Sequence, residues 1–319
     1  MKGTAQVTKH TGSHYLLEDT AAGGELFPAV LRGRMRLKDA NATNPVAVGD
    51  IVDYEYDDCP SAENPAAIVR IHPRRNYIIR KSTNLSRKNH IIAANLDQAV
   101  IICTLYFPEL KLPFLDRILL TCEVYKIPAV IVLNKTDLYR DEVPEEMARF
   151  HEIYSKAGYR VIETSTLTGE GIDELRSLCE GRLSLFSGES GVGKSSMIKA
   201  LDPSLDPKTG EISLAHLQGR HTTTFYEMYE FTGPSGTKGK IIDTPGIRGF
   251  GLVDLDKEEI PLYFPEMLRA SESCRFTPCT HTHEPGCAVK AALEDGSISR
   301  ERYNSYLGML EDINEGKYR

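Results

Sequence analysis

The apolar positions of this chain keep two rhythms, and the change from one to the other divides it. Over residues 1 to about 72, short runs such as HYLLED, LFPAVLRGRM and VGDIVDYEY are separated by Gly, Asn and Pro. That is the signature of short strands joined by turns. About five strands in a segment of about 70 residues fit an OB-fold β-barrel, and an SH3-like barrel would give much the same pattern. From LDQAVIICTL onward, continuous apolar runs alternate with stretches whose apolar residues fall at helical spacing. LDQAVIICTL, AVIVLN, YRVIETS, RLSLFSG, TTTFYEMYEF and GKIID read as strands. FLDRILLTCEVYK, EEMARFHEIYSKAG (closed by its glycine), GIDELRSLCEG and KSSMIKAL read as helices. Strands alternating with helices predict a parallel sheet covered on both faces. The tail from about Leu255 reads as helical and charged. The expected organisation is a barrel over 1–72, a basic linker over 73–90, an α/β domain over 91–254 and a small helical domain over 255–319.

Composition adds limits to this picture. The chain has 319 residues, 41% hydrophobic and 26% charged, which suits two or three globular domains. It contains no run of about 18 apolar residues of the kind that spans a membrane, and its first residues have no apolar stretch of signal-peptide type. The expectation is a cytoplasmic protein with no membrane partner and, by default, a monomer. A net charge of −7 argues against a surface that coats nucleic acid throughout. The charge is uneven, however: Arg70, Arg74, Arg75, Arg80, Lys81, Arg87 and Lys88 form one island without an acidic residue, and RGRMRLK (32–38) forms another. Such islands suit contact with a phosphate backbone.

The chemistry begins with GESGVGKSS. Gly188, Glu189, Ser190, Gly191, Val192, Gly193, Lys194 and Ser195 satisfy G-x-x-x-x-G-K-[ST], and Ser196 follows. A strand precedes the motif and a helix follows it, as a phosphate-binding loop requires. Its glycines let backbone N–H groups turn toward phosphates, and the helix N-terminus adds positive potential. Lys194 can reach the β- and γ-phosphates, and the Ser195 hydroxyl is placed for Mg²⁺.

A second motif, NKTD, comprises Asn134, Lys135, Thr136 and Asp137 at the end of a predicted strand, where ligands sit in α/β sheets. The Asp137 carboxylate only accepts hydrogen bonds, and guanine offers two adjacent donors that adenine lacks. Lys135 can lie over the base, and Asn134 can tie this loop to the phosphate loop. In ETSTLTGEG, Ser165 and Thr166 could aim backbone N–H groups at the guanine oxygen. The usual GTPase order places the phosphate loop first. Here the base reader precedes it by more than fifty residues, which a circular permutation of the same sheet would explain. DTPG supplies Asp243 for Mg²⁺, mostly through water, and the Gly246 N–H for a γ-phosphate. Ile247 stands where many GTPases carry a water-orienting glutamine, so slow intrinsic hydrolysis is expected. GRHTTT occupies the slot of the first switch. Thr223, favoured over Thr222 and Thr224, would complete the Mg²⁺ shell, and His221 is the nearest candidate to orient water. The catalytic set is therefore His221, Lys194 and Thr223.

In CRFTPCTHTHEPGC the residues Cys274, Cys279, His281 and Cys287 have the spacing C-x4-C-x-H-x5-C. Three thiolates and an imidazole make a closed structural Zn²⁺ site, with His283 as a possible substitute ligand. Zinc would also explain how so short a tail folds.

Together NKTD, GESGVGKSS, GRHTTT, DTPGIRGF and the Cys–Cys–His–Cys segment resemble the circularly permuted GTPases known as the RsgA or YjeQ family. RGRMR followed by VGD resembles that family's OB domain. The resemblance implies a slow GTPase, cycling between GTP and GDP, that binds the small ribosomal subunit late in its assembly and is stimulated by it. It further implies contact with ribosomal RNA and with assembly factors on that particle. The readings it must displace are a non-ribosomal signalling GTPase, a nucleotide-sensing RNA-binding scaffold with little turnover, and a P-loop kinase.

Overall fold

The computed structural model describes residues 2–11, 14–19, 24–32, 45–57, 59–80, 90–205, 207, 226–243 and 255–314. The chain divides into two compact units. One comprises Met1–Gln98, Leu175–Ser187 and Lys194–Ile247; the other comprises Ala99–Glu174, Gly188–Gly193 and Arg248–Arg319. No described helix is long and apolar enough to cross a membrane.

The first unit opens with strands β1 (Lys2–Thr11), β2 (His14–Asp19), β3 (Leu26–Leu31), β4 (Ile51–Glu55) and β5 (Ala66–Ile71). They pair in the order β1-β2-β3-β5-β4, and β4 returns to β1, closing a barrel of OB type. Alternate residues point inward, so Val7, Leu17, Ala29, Val52 and Ile68 share one buried core; this is why these strands read as period-2 patterns.

The basic segment after the barrel is not all connector. It contributes β6 (Tyr77–Arg80), which pairs antiparallel with β7 (His90–Ala94). Two of its arginines serve the fold rather than offering themselves to phosphate. Arg74 clasps the fully buried Asp50 through Nε and Nη2 at 2.6 and 2.7 Å, and Arg75 donates to Asp97 at 2.7 Å and to the Asn95 and Leu96 carbonyls.

The same unit holds α3 (Ile172–Cys179, whose first residues belong to the second unit), β11 (Leu183–Ser187), α4 (Lys194–Leu201), β12 (Tyr226–Thr232) and β13 (Lys238–Asp243). β11 and β13 are parallel. β12 runs antiparallel to β13 and, on its other edge, to β1, so the expectation of a wholly parallel sheet fails here. The reason is local: only Gly233–Thr237 separates β12 from β13, closed by the Gly233 N–H on the Thr237 carbonyl at 2.8 Å. A connection that short cannot make a crossover.

In the second unit β8 (Gln98–Cys103, whose first residue belongs to the first unit), β9 (Ala129–Leu133) and β10 (Arg160–Glu163) are parallel, with β9 central. All six residues of β8 are buried, as expected for a strand covered on both faces. The crossovers carry α1 (Leu112–Val124) and α2 (Pro144–Ala157), each with proline in its first turn. Gly158 ends α2 in the left-handed region, φ 103°, with its N–H on the Tyr154 and Ser155 carbonyls. Alanine at that φ costs about 1 kcal/mol. Gly158→Ala is therefore expected to lower the urea midpoint without changing the slope.

The tail adds α5 (Pro265–Ser271), α6 (Ala288–Glu294) and α7 (Arg300–Asn314). Ile260, Phe264, Met267, Val289, Tyr306 and Met309 pack there with Leu120 from α1. Beside them Arg302 of α7 is 1% exposed. It reaches Asp116 of α1 at 2.9 Å and Glu266 of α5 at 2.7 Å, and its guanidinium lies 4.5 Å from the centre of the Phe264 ring. The two carboxylates pair a cation that would be costly to bury alone, while burial still pushes the Asp116 carboxyl above its usual range.

Candidate functional site

The base-reading loop follows β9 and the phosphate loop follows β11, so both leave the carboxyl ends of parallel strands. Asn134 is fully buried. Its backbone N–H donates to the Cys103 carbonyl of neighbouring β8 at 2.8 Å, and its side-chain Nδ2 donates to the Val192 carbonyl at 2.8 Å. Lys135 takes a left-handed conformation, φ 63°, and its Nζ donates to the Gly191 and Phe107 carbonyls, each at 2.7 Å. The structure thus joins NKTD to the phosphate loop across a separation of 58 residues.

Close packing at that junction explains two glycines. A Cβ on Gly193 would lie 2.5 Å from Asn134 Nδ2, and the residue has φ 99°. A Cβ on Gly188 would lie 2.1 Å from the Ile102 carbonyl oxygen. Real side chains do not tolerate either approach, so the loop can lie against β8 and the base-reading loop only with glycine at both positions.

Thr136 and Asp137 form a short helical turn, Thr136–Leu138, with Thr136 buried and donating its hydroxyl to the Thr164 carbonyl at 3.1 Å. Asp137 is exposed, with Oδ1 accepting from the Ser165 hydroxyl at 2.5 Å. The Ser165 oxygen in turn accepts the N–H groups of Leu167 and Thr168 at 3.2 and 3.1 Å, so its own proton is directed at the carboxylate. The Ser165 N–H is already spent on the Glu170 carbonyl at 3.0 Å. The turn from 165 to 170 thus engages the Ser165 backbone, and it is the hydroxyl that faces Asp137. Arg140 braces the same loops, donating to Glu163 and Glu170 at 2.7 and 2.6 Å.

Lys194 opens α4 and is 9% exposed, Ser195 is half-buried and Ser196 exposed. The first turn of α4 carries no acidic residue, as suits an anion at a helix N-terminus. Asp243 ends β13 in register with Phe186, two residues before Gly188. His221, Thr223 and Gly246, with Thr222 and Thr224, lie outside the described residues.

Sequence reasoning missed three contributors. The buried Thr164 donates its hydroxyl to Asn134 Oδ1 at 3.1 Å. Tyr139 donates to the Asn134 carbonyl at 2.6 Å. Phe107 supplies the second carbonyl under Lys135. Thr164 adjoins a residue already singled out, and Tyr139 lies five residues after Asn134; nothing in the sequence marked Phe107.

In the tail, one ligand atom from each of Cys274, Cys279, His281 and Cys287 lies within 4.8 Å of all the others. Cys274 Sγ is 3.7 Å from His281 Nδ1 and 4.0 Å from Cys287 Sγ, and His281 Nδ1 is 3.3 Å from Cys287 Sγ. Ligands tetrahedral about zinc stand about 3.5–3.8 Å apart, so this donor set fits that ion. Burial and neighbouring sulfurs push the Cys279 thiol up to about 12; a bound cation is what would hold such a cluster deprotonated. The segment is fastened from α7, where Tyr303 donates to the His281 carbonyl at 2.7 Å and Tyr306 to the Thr280 carbonyl at 2.5 Å. It is fastened locally by Glu284, which accepts from the Thr280 hydroxyl and from the Thr280, Thr282 and His283 N–H groups. Burial opposes ionisation of Glu284, but these bonds outweigh it and lower its carboxyl to about 2.

A phosphate loop after β11, a base-reading loop after β9 and the inverted order of the two define a circularly permuted P-loop nucleotide-binding protein. Comparison with known proteins narrows the class. The family described as RsgA GTPase matches residues 71–253. A protein of Porphyromonas gingivalis named small ribosomal subunit biogenesis GTPase RsgA is 49% identical over 316 residues, 98% of each chain. The crystal structure of YjeQ from Thermotoga maritima aligns with a TM-score of 0.76 at 30% identity, covering 98% of this chain and 99% of that one. The structure of YloQ, described as a circularly permuted GTPase, aligns with a TM-score of 0.74 at 26% identity, covering 100% and 97%. The chain belongs to the RsgA GTPase family.

Proposed function

We propose that this protein is a GTP hydrolase that binds the small ribosomal subunit and assists its late maturation, turning over slowly alone and faster on that particle. The observation that carries the nucleotide part is the direct bonding of Asn134 and Lys135 to the phosphate loop, with Asp137 held by Ser165. The ribosomal part rests on the family and on its relative's name.

In this reading Asp137 accepts the two guanine donors, with Lys135, Thr136 and Ser165 shaping the base site. The N–H groups from Gly188 to Gly193 and the first turn through Ser196 surround the phosphates, and the Lys194 ammonium holds the β- and γ-phosphate oxygens. Ser195 and Thr223, with Asp243 through water, would hold a Mg²⁺ ion, which would supply charge neutralisation at those phosphates. The Gly246 N–H senses the γ-phosphate. His221 orients the attacking water, since Ile247 has neither donor nor acceptor. Zn²⁺, held by Cys274, Cys279, His281 and Cys287, supplies a crosslink that lets the tail fold. The domain limits are 1–72, 73–90, 91–254 and 255–319. The barrel and the basic residues left outside the ion pairs of Arg74 and Arg75 meet ribosomal RNA, and assembly factors share the particle. The protein works as a cytoplasmic monomer without a membrane partner.

The test is GTP hydrolysis with and without purified small subunits. Stimulation is expected; a rate unchanged by subunits rejects the ribosomal role while leaving nucleotide binding intact. His221→Ala is expected to lower the stimulated rate by about a hundredfold with GDP affinity unchanged. Full stimulated turnover in that variant removes the histidine from the mechanism.

A further inference from the structure

Among the described residues, eight large apolar side chains are notably exposed, and three of them, Phe107, Leu138 and Leu167, sit on the loops that position Lys135, Asp137 and Ser165. Phe107 stands apart. It is 69% exposed and has φ 62°, a conformation that a bulky side chain adopts only when its surroundings impose it.

Those surroundings are the nucleotide loops themselves. The Phe107 carbonyl accepts the same Lys135 ammonium that clasps Gly191. The next residue, Pro108, lines an apolar crevice with Gly188 and Val192 and accepts the Thr104 hydroxyl on its carbonyl at 2.8 Å. The fold therefore spends backbone strain and two anchoring bonds to hold an aromatic ring in water, beside the lysine of the base-reading motif. The ring contributes little to any core while it is solvated. An apolar surface held out at a ligand-binding loop is explained by the ligand it covers.

We propose that the Phe107 ring packs against the nucleoside of bound guanine nucleotide, next to the Lys135 stem, and is a positioning residue for affinity. This rests on the guanine-nucleotide reading of the site given above. It assigns a contact to a segment outside every nucleotide motif in the sequence.

The chain contains no tryptophan, so Phe107→Trp places a single reporter at the position. GDP binding is measured independently by calorimetry, and pyrophosphate serves as a probe that lacks a nucleoside. Expected results are saturable quenching of the Trp emission by GDP, with the calorimetric midpoint, and no quenching by pyrophosphate. Phe107→Ala is expected to weaken GDP about tenfold, the usual scale of an aromatic contact to a base, while leaving pyrophosphate affinity unchanged. Phe107→Gly should raise the melting temperature by relieving the positive φ and still weaken GDP. A merely structural role would move stability and affinity in the same direction. GDP binding to the Trp variant with unchanged emission overturns the proposal, as does parental GDP affinity in the Ala variant. Failure of the parent protein itself to bind GDP overturns the nucleotide reading, which separates the two.

Discussion

Asp137→Asn should exchange guanine for xanthine. Guanine presents two donors to the carboxylate. The amide offers one acceptor and one donor, so the guanine amine would meet an N–H. Xanthine carries an oxygen where guanine carries that amine, and so restores both bonds. The Ser165 tether should survive the change, because its hydroxyl proton is directed at Oδ1 by the two N–H groups that its oxygen already accepts. That bond assigns Oδ1 as the amide oxygen and leaves the amide nitrogen toward the ligand. Mismatched polar groups at a site built for hydrogen bonding discriminate by about 10⁴-fold. An exposed carboxylate loses part of that, so a fall of about a thousandfold in GDP affinity, with a comparable gain for xanthosine diphosphate, is the expected result by calorimetry. Parental GDP affinity in the variant would remove Asp137 from base reading, and with it the permuted-GTPase arrangement of the site.

The second large effect concerns the cysteine cluster. Structural zinc contributes about 10–16 kcal/mol of apparent binding energy to small metal-dependent folds near neutral pH, several times the net stability of an ordinary domain. Removing the metal with a strong chelator, or replacing Cys279 with Ser, is expected to melt the region from Ile260 to Asn314. The melting should spread to α1, because Leu120 shares the core of the tail and Asp116 depends on Arg302 for its counter-charge. Hydrogen exchange should show lost protection in α5 to α7, with partial loss in α1, and the thiols of Cys274, Cys279 and Cys287 should become reactive. Unchanged exchange in a protein shown to be metal-free would dismiss a structural zinc site. Because the first unit has its own closed barrel core, its exchange serves as the internal control.

Much of the architecture was legible because its signals are local. The apolar run AVIIC specifies β8. A proline in the first turn and a glycine at the end bound α2. Alternation specifies the barrel strands, and a glycine-rich turn between a strand and a helix specifies the phosphate loop. The three cysteines and the histidine that could hold a metal were legible for a similar reason: they lie within 14 residues of one another, so their spacing carries the geometry.

Other features needed the tertiary structure, and each involves partners that sequence order separates. Arg74 was one more cation in a basic run until the fold buried Asp50 beneath it. Arg302 stood in RERYNSYL like any surface charge of a helix, yet it is among the most deeply buried side chains, because Asp116, 186 residues away, and Glu266, 36 residues away, neutralise it there. The hydroxyl role of Ser165 followed from a turn that had already engaged its N–H, and the exposure of Phe107 from a lysine 28 residues downstream. The chain by itself determined its strands, helices, barrel and motifs, since hydrophobic period, caps and glycines act over a few residues. The tertiary structure decided which charges are buried in pairs and which atoms of the motifs are free to meet a ligand. A charge or a hydrogen bond has a value only once its partner is in place, and those partners arrive from distant parts of the chain.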